Sequence, residues 1–241
     1  MIVSRTMRLG DYVELTPEMD VVEKVIRIVG LDPAQHRHRR WEYALALHAV
    51  NQRFGTLTTD KGVLQVGDFG CAIGLLAPIM VWLGHDVHMY EPWAWGNQEE
   101  QCLGQCSIAQ NGSSSPGKFT ICHRDLSHLE AEDKGRFDVS FCISTMEHVP
   151  NETEAMNDLF DSVAPGGITF LTMDFGPDET DHYMSASVRA RIYCPQKMQH
   201  LVELGQAQGF ELLGGESDWS WHPEMTLVNN HGFSAIGMVR R

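Results

Sequence analysis

From Gly62 onward, short apolar runs alternate with helical patterns, and this alternation limits the possible folds more than any other property of the chain. Residues 63–66, 86–90, 119–122, 137–143 and 168–173 read as strands, whereas 75–83, 95–110, 152–163 and 195–208 carry apolar residues at helical spacing. Strands separated by helices require right-handed crossovers, hence a mostly parallel sheet with helices on both faces. Two further strands, 210–213 and 233–239, have only the loop-like stretch 216–232 between them and are expected as an antiparallel pair at a sheet edge. The expected fold class is therefore α/β: a doubly wound, mostly parallel seven-stranded sheet with an antiparallel edge strand, plus N-terminal helices. Those helices, 17–29 and 37–54, place a helical cap over 1–60 ahead of a main domain over 61–241.

Charge and composition exclude several classes of partner. Eighteen Lys and Arg against 32 Asp and Glu give a net charge of -14, a poor match for a nucleic-acid backbone. The one basic cluster, His36, Arg37, His38, Arg39 and Arg40, is short, and a local anion contact or a solvated helix start accounts for it. No apolar run approaches the roughly 20 residues of a membrane span, and no apolar stretch follows a basic head at the N-terminus. The expectation is a cytoplasmic chain that engages neither nucleic acid nor membrane, as a monomer or homodimer. Its six cysteines include no Cys-x-x-Cys pair and are expected as reduced thiols. No metal set is expected, because nothing near Cys102 and Cys106 completes one.

In an open parallel sheet the ligand lies beyond the carboxyl ends of the strands. Beyond the first strand stand Gly67, Asp68, Gly70, Cys71, Ala72 and Gly74, small residues that permit a tight turn and close backbone approach. Their spacing departs from the dinucleotide pattern Gly-x-Gly-x-x-Gly, which argues against a nicotinamide-dependent oxidoreductase. Asp68 would repel a pyrophosphate and suits a ligand with a cationic group. Glu91, followed by Pro92, ends the second strand 21 residues beyond Gly70, the distance of an acid that binds ribose hydroxyls. Asp125 ends the third strand with Leu126 behind it, and Ser144, Thr145, Met146, Glu147 and His148 follow the fourth.

In this order, with Ala164-Pro165-Gly166-Gly167 beyond them, these residues make 62–241 similar to the class I S-adenosylmethionine-dependent methyltransferases. The resemblance implies a Rossmann-like fold with S-adenosylmethionine as cofactor. Asp68, Gly70, Cys71, Ala72 and Gly74 would surround the methionine half, Glu91 and Pro92 the ribose, and Asp125 and Leu126 the adenine, with Ser144 beside the transferable methyl. Ala72 departs from the family, which often has Gly there, but is small enough to be tolerated. A cofactor-binding protein without turnover is the competing reading; the cofactor loops look intact.

Methyl transfer from a sulfonium needs in-line placement of a nucleophile and, where that nucleophile starts protonated, a base. His148 is the candidate base and Asp174 the candidate for orienting an acceptor hydroxyl or amine. The long stretch 175–194, with Tyr183, is expected as a lid, and Trp41, Glu42 and Tyr43 of the N-terminal helices as another wall of the acceptor pocket. Amino-methylating nucleic-acid enzymes of the family often carry an Asn/Asp-Pro-Pro-aromatic motif where this chain has Ser144-Thr145-Met146-Glu147. A small-molecule acceptor is therefore expected.

Overall fold

A computed structural model describes residues 2–92, 96–185, 188–225 and 231–241. In chain order the elements are β1 (Ser4–Thr6), α1 (Asp11–Glu14), α2 (Thr16–Ile28), α3 (Arg37–Phe54), β2 (Gln65–Phe69), α4 (Leu76–Trp82), β3 (Asp86–Tyr90), α5 (Gln98–Asn111) and β4 (Phe119–Cys122). There follow β5 (Phe137–Ile143), α6 (Glu152–Ser162), β6 (Val163–Phe175), β7 (Thr180–Ser185), β8 (Val188–Ile192), α7 (Pro195–Ala207), β9 (Phe210–Leu212), β10 (Ser217–Asp218) and β11 (Gly232–Arg240). The expected helix start at Trp95 lies outside the described residues.

The strands β4, β3, β2, β5 and β6 run parallel, and β11 pairs antiparallel with β6 along Gly232 to Val239. Strand order reverses between β2 and β5, which opens the ligand crevice at their carboxyl ends. Side chains alternate across the sheet: Phe141 and Phe170 enter one apolar cluster with α2 to α5, while Cys142 and Leu171 enter the other with α6 and α7. On α2, Val22, Val25 and Ile26 are fully buried, each contributing about 1.5–3 kcal/mol.

Three features differ from the sequence reading. The main sheet has nine strands rather than seven, because β1 pairs with β11 and β10 pairs with β1. Ser4, Arg5 and Thr6 carry no apolar pattern, yet all three are buried: Ser4 exchanges hydrogen bonds with Gly237, and Arg5 pairs with Asp11 at 2.8 Å. The antiparallel strand β11 lies inside the sheet rather than at its edge. The stretch 175–194 holds a β-hairpin of β7 and β8, and β8 packs against β6 and a 3-10 turn at Met146–His148. Among the described residues, no helix is long and apolar enough to cross a membrane.

Candidate active site

Two cavities open at the carboxyl ends of the strands, and both border Gly70. The first, about 270 Å³, is lined by Asp68, the loop residues Gly70, Cys71, Ala72, Ile73 and Gly74, by Ser144, and by His36, Arg39 and Tyr43. The second, about 240 Å³, is lined by Tyr90, Glu91, Pro92, Asp125, Leu126, Thr145 and His148.

The loop that separates them is held in an unusual conformation. Gly70 has φ +73°, and a Cβ there would lie 2.1 Å from Thr145 Cγ2, so only glycine fits. Ala72 adopts φ +40° and Ser144 φ +46°, left-handed values that cost roughly 1–3 kcal/mol each and cluster at functional sites. Hydrogen bonds fix the shape. Ala72 N–H donates to Glu91 Oε2 at 3.3 Å, Leu75 N–H to Tyr43 Oη at 3.1 Å, and Thr145 Oγ1 to the Gly70 carbonyl at 3.0 Å.

The two cavities differ in electrostatics. Asp68, in β2, has its carboxyl pushed up to about 8 by burial, with Cys102 and Glu91 adding to the rise and the Ala77 N–H opposing it. Across the first cavity, Arg39 is held firmly charged by Glu42. The second cavity presents Glu91 and Asp125. Asp125 accepts from Ser127 N–H and Oγ at 3.0 and 3.1 Å and also contacts His128 Nδ1.

Arg39 and His36, read from sequence only as part of a basic cluster, line the first cavity, whereas Glu42, expected on the acceptor wall, lines neither cavity. Glu42 is fully buried and accepts from Ser144 Oγ and Thr172 Oγ1, each at 2.5 Å, and from Arg39 Nη1 at 2.9 Å. It ties α3 to the ends of β5 and β6. The basic cluster at 36–40 was the visible signal for Arg39.

Trp41 lines neither of the two cavities. It is fully buried, and its Nε1 donates to Asp11 Oδ2 at 2.6 Å. Residues two apart on a helix point about 200° from one another, so Trp41 and Tyr43 cannot face one cavity. Tyr43 borders the first cavity, bracing the loop. Asp174 lies beside His231 Nε2 at 3.6 Å, outside both cavity linings, and its carboxyl is raised by burial against the pull of His231. His148 is exposed on the wall of the second cavity. Glu147 is buried, and burial beside Asp174 raises its carboxyl well above the usual range. The Tyr183 side chain lies outside the described residues.

Residues 34–214 match the family model described as "Methyltransferase domain". The chain belongs to this family. The matched region begins within the expected cap, just ahead of α3, the helix that supplies Arg39 and Tyr43. The chain is also 30% identical over 117 residues to the ubiquinone biosynthesis O-methyltransferase of Psychrobacter arcticus, covering 48% of this chain and 43% of that protein. It thus spans less than half the length of that relative. Among solved structures, the methyltransferase domain superposes on magnesium protoporphyrin IX methyltransferase from Synechocystis PCC 6803, solved with bound SAM, with TM-score 0.56 and 16% identity over 91% of this chain and 84% of that one. It superposes on the (4+2)-cyclase SpnF with TM-score 0.57 and 15% identity over 83% and 82%. At these identities the likeness is one of fold, and fold alone does not fix chemistry.

Proposed function

We propose that the chain is an S-adenosylmethionine-dependent methyltransferase that moves a methyl group to a hydroxyl or amine of a small-molecule acceptor. The observation that carries this reading is the pair of cavities of opposite character that meet at a glycine no other residue can replace. The cofactor is similarly divided, into a charged amino-acid half and an adenosine half.

In this reading Glu91 and Pro92 hold the ribose, and Leu126 and Asp125 the adenine. Arg39, with His36, binds the carboxylate of the methionine half, while Asp68 faces its ammonium group. Asp68 suits that role: its carboxyl is buried and raised, so a cation placed beside it restores its charge with little desolvation still to overcome. Gly70, Cys71, Ala72 and Gly74 supply close backbone approach between the halves. Ser144, held by Glu42, stands beside the methyl.

When bound, the cofactor supplies an activated methyl group. The chain then has to orient the acceptor, exclude water and take up a proton. His148 is the residue we assign to the proton, with Asp174 orienting the acceptor and the β7–β8 hairpin, carrying Tyr183, covering the strand ends. We read the helices of 1–60 as a cap that completes the site of a domain over 61–241, with β1 tying the segment into the main sheet. The net charge of -14 and the sequence at 144–147 favour a small-molecule acceptor over nucleic acid.

Calorimetric titration with S-adenosylhomocysteine, with NAD in parallel, tests this. Binding of the first alone is expected; binding of NAD alone would overturn the assignment. A methyl-transfer screen on purified protein then identifies the acceptor.

A further inference from the structure

Ser144 holds a left-handed backbone, φ +46°, against a cost that glycine would not incur there. Its N–H donates to the Thr172 carbonyl at 3.0 Å and to Thr172 Oγ1 at 3.1 Å, and its Oγ donates to Glu42 Oε1 at 2.5 Å. A glycine would keep the two N–H bonds and lose the third. What the serine adds at this position is its hydroxyl.

The direction of that hydroxyl is fixed from behind. Glu42 is fully buried, and Arg39 Nη1 donates to its Oε2 at 2.9 Å. Paired with a guanidinium, the carboxylate only accepts. Thr172 Oγ1 accepts from Ser144 N–H and gives its own proton to Glu42 Oε1. Ser144 Oγ gives its proton to the same oxygen, and among the described residues no donor reaches it in return. Ser144 lines the first cavity, whereas Glu42 and Thr172 do not. The cavity therefore meets, at Ser144, an oxygen with lone pairs and no proton to give. The Arg39–Glu42 pair thus presents its cation to the cavity directly and its anion through Ser144, an order that matches a ligand with a carboxylate at one point and a positive charge at another.

We propose that Glu42 is a positioning residue that holds Ser144 as an obligate acceptor, and that the pair thereby favours the sulfonium of S-adenosylmethionine over the thioether of S-adenosylhomocysteine. The inference rests on the assignment of the first cavity to the methionine half of the cofactor, with Ser144 beside the methyl. A sulfonium is cationic, and its adjoining C–H groups are polarised into weak donors. The thioether left after transfer is neutral and itself a weak acceptor. Facing an oxygen that can only accept, the spent cofactor loses this contact.

Calorimetric titration of the full chain with S-adenosylmethionine and S-adenosylhomocysteine tests the proposal, with adenosine reporting on the rest of the site. Ser144→Ala removes the acceptor and should lower the preference for S-adenosylmethionine over S-adenosylhomocysteine by about two- to fivefold. Glu42→Gln keeps the shape and reverses the polarity. Arg39 retains the amide oxygen, so the amide nitrogen donates to Ser144 Oγ and turns its proton toward the cavity. The preference should fall further than in Ser144→Ala, while adenosine binds as it does to the wild-type chain. An unchanged preference in Ser144→Ala would overturn the proposal. So would a Glu42→Gln chain in which all three ligands weaken equally, the mark of a structural brace. Should thermal unfolding show that Glu42→Gln does not fold, Ser144→Ala decides alone. Failure of the wild-type chain to bind either form of the cofactor would instead break the cofactor assignment.

Discussion

The two cavities that meet at Gly70 are assembled in different ways. The second takes its walls from the ends of consecutive parallel strands: Glu91 and Pro92 after β3, Asp125 and Leu126 after β4, His148 after β5. The first takes its floor from the loop after β2, but its roof from α3, which precedes that loop in the chain and contributes Arg39 and Tyr43, with His36 just ahead of the helix. One cavity therefore follows from strand order alone. The other depends on how a helix outside the alternating strand and helix units docks on the sheet, which Glu42 fixes through Ser144 and Thr172.

The strongest way to break both halves at once is Gly70→Ala. The added Cβ would meet Thr145 at 2.1 Å in a backbone of φ +73°. We expect loss of measurable binding of both adenosine and S-adenosylhomocysteine by calorimetry, and roughly 1–3 kcal/mol of lost stability by denaturant titration. Retention of either ligand would mean that the loop is not their common wall.

Separating the halves requires two variants and two ligands. Glu91→Ala should weaken adenosine and S-adenosylhomocysteine alike, by about 1–3 kcal/mol, because both carry the ribose. Arg39→Gln keeps a donor for Glu42 but removes the charge. It should weaken S-adenosylhomocysteine by a similar amount, about 1.5–3 kcal/mol, while leaving adenosine untouched. Equal losses for both ligands in Arg39→Gln would refute the assignment of the α3 side to the amino-acid half.

The same contrast explains what the sequence made readable. β3, β4, β5 and α3 were expected at the ends they have, because each is a run of one period bounded by Gly, Pro or charged residues. Glu91 and Asp125, after β3 and β4, were likewise readable, since a strand end fixes where its next residue lies; Asp68, expected beyond a strand over 63–66, instead lies within β2, which runs to Phe69. The N-terminal strand β1 was not, because its buried Ser-Arg-Thr is satisfied by distant partners, Gly237 and Asp11, rather than by any apolar pattern. Helix α3 is legible as a helix, but which of its side chains meet the site is not. Trp41, Glu42, Tyr43, Ala44, Leu45, Ala46 and Leu47 are all buried, so no polar stripe marks which face meets the cavity. That is why Trp41 and Glu42 are expected on the acceptor wall beside Tyr43, although only Tyr43 borders a cavity.

Asp68 gives the comparison a pH signature. Burial raises its carboxyl to about 8, against about 3.9 in the unfolded chain. Between these values the folded chain holds a proton that the unfolded chain releases. Its contribution to stability is thus complete below the lower value and is lost as pH rises toward 8. Asp68→Asn should flatten that slope in thermal unfolding. Near pH 7, S-adenosylhomocysteine should displace the proton as its ammonium approaches, so calorimetry in buffers of different ionisation enthalpy should report proton release that Asp68→Asn abolishes. Adenosine, lacking the ammonium, should release none.

The smallest effect is expected at Asp125. Its side chain is 47% exposed. Although partial burial pushes its carboxyl up, hydrogen bonds from His128 and Ser127 hold it below its ordinary value, and much of its accepting capacity is already used locally. An exposed, pre-engaged carboxylate adds little to affinity, so Asp125→Ala should cost adenosine less than about 1 kcal/mol. Its effect should lie in selectivity. If the remaining capacity accepts from the adenine amino group, the wild-type chain prefers adenosine to inosine, which lacks that amino group, and Asp125→Ala removes the preference. A preference that survives the substitution would transfer base recognition to the backbone around Leu126, whose buried side chain then holds the ring by contact alone.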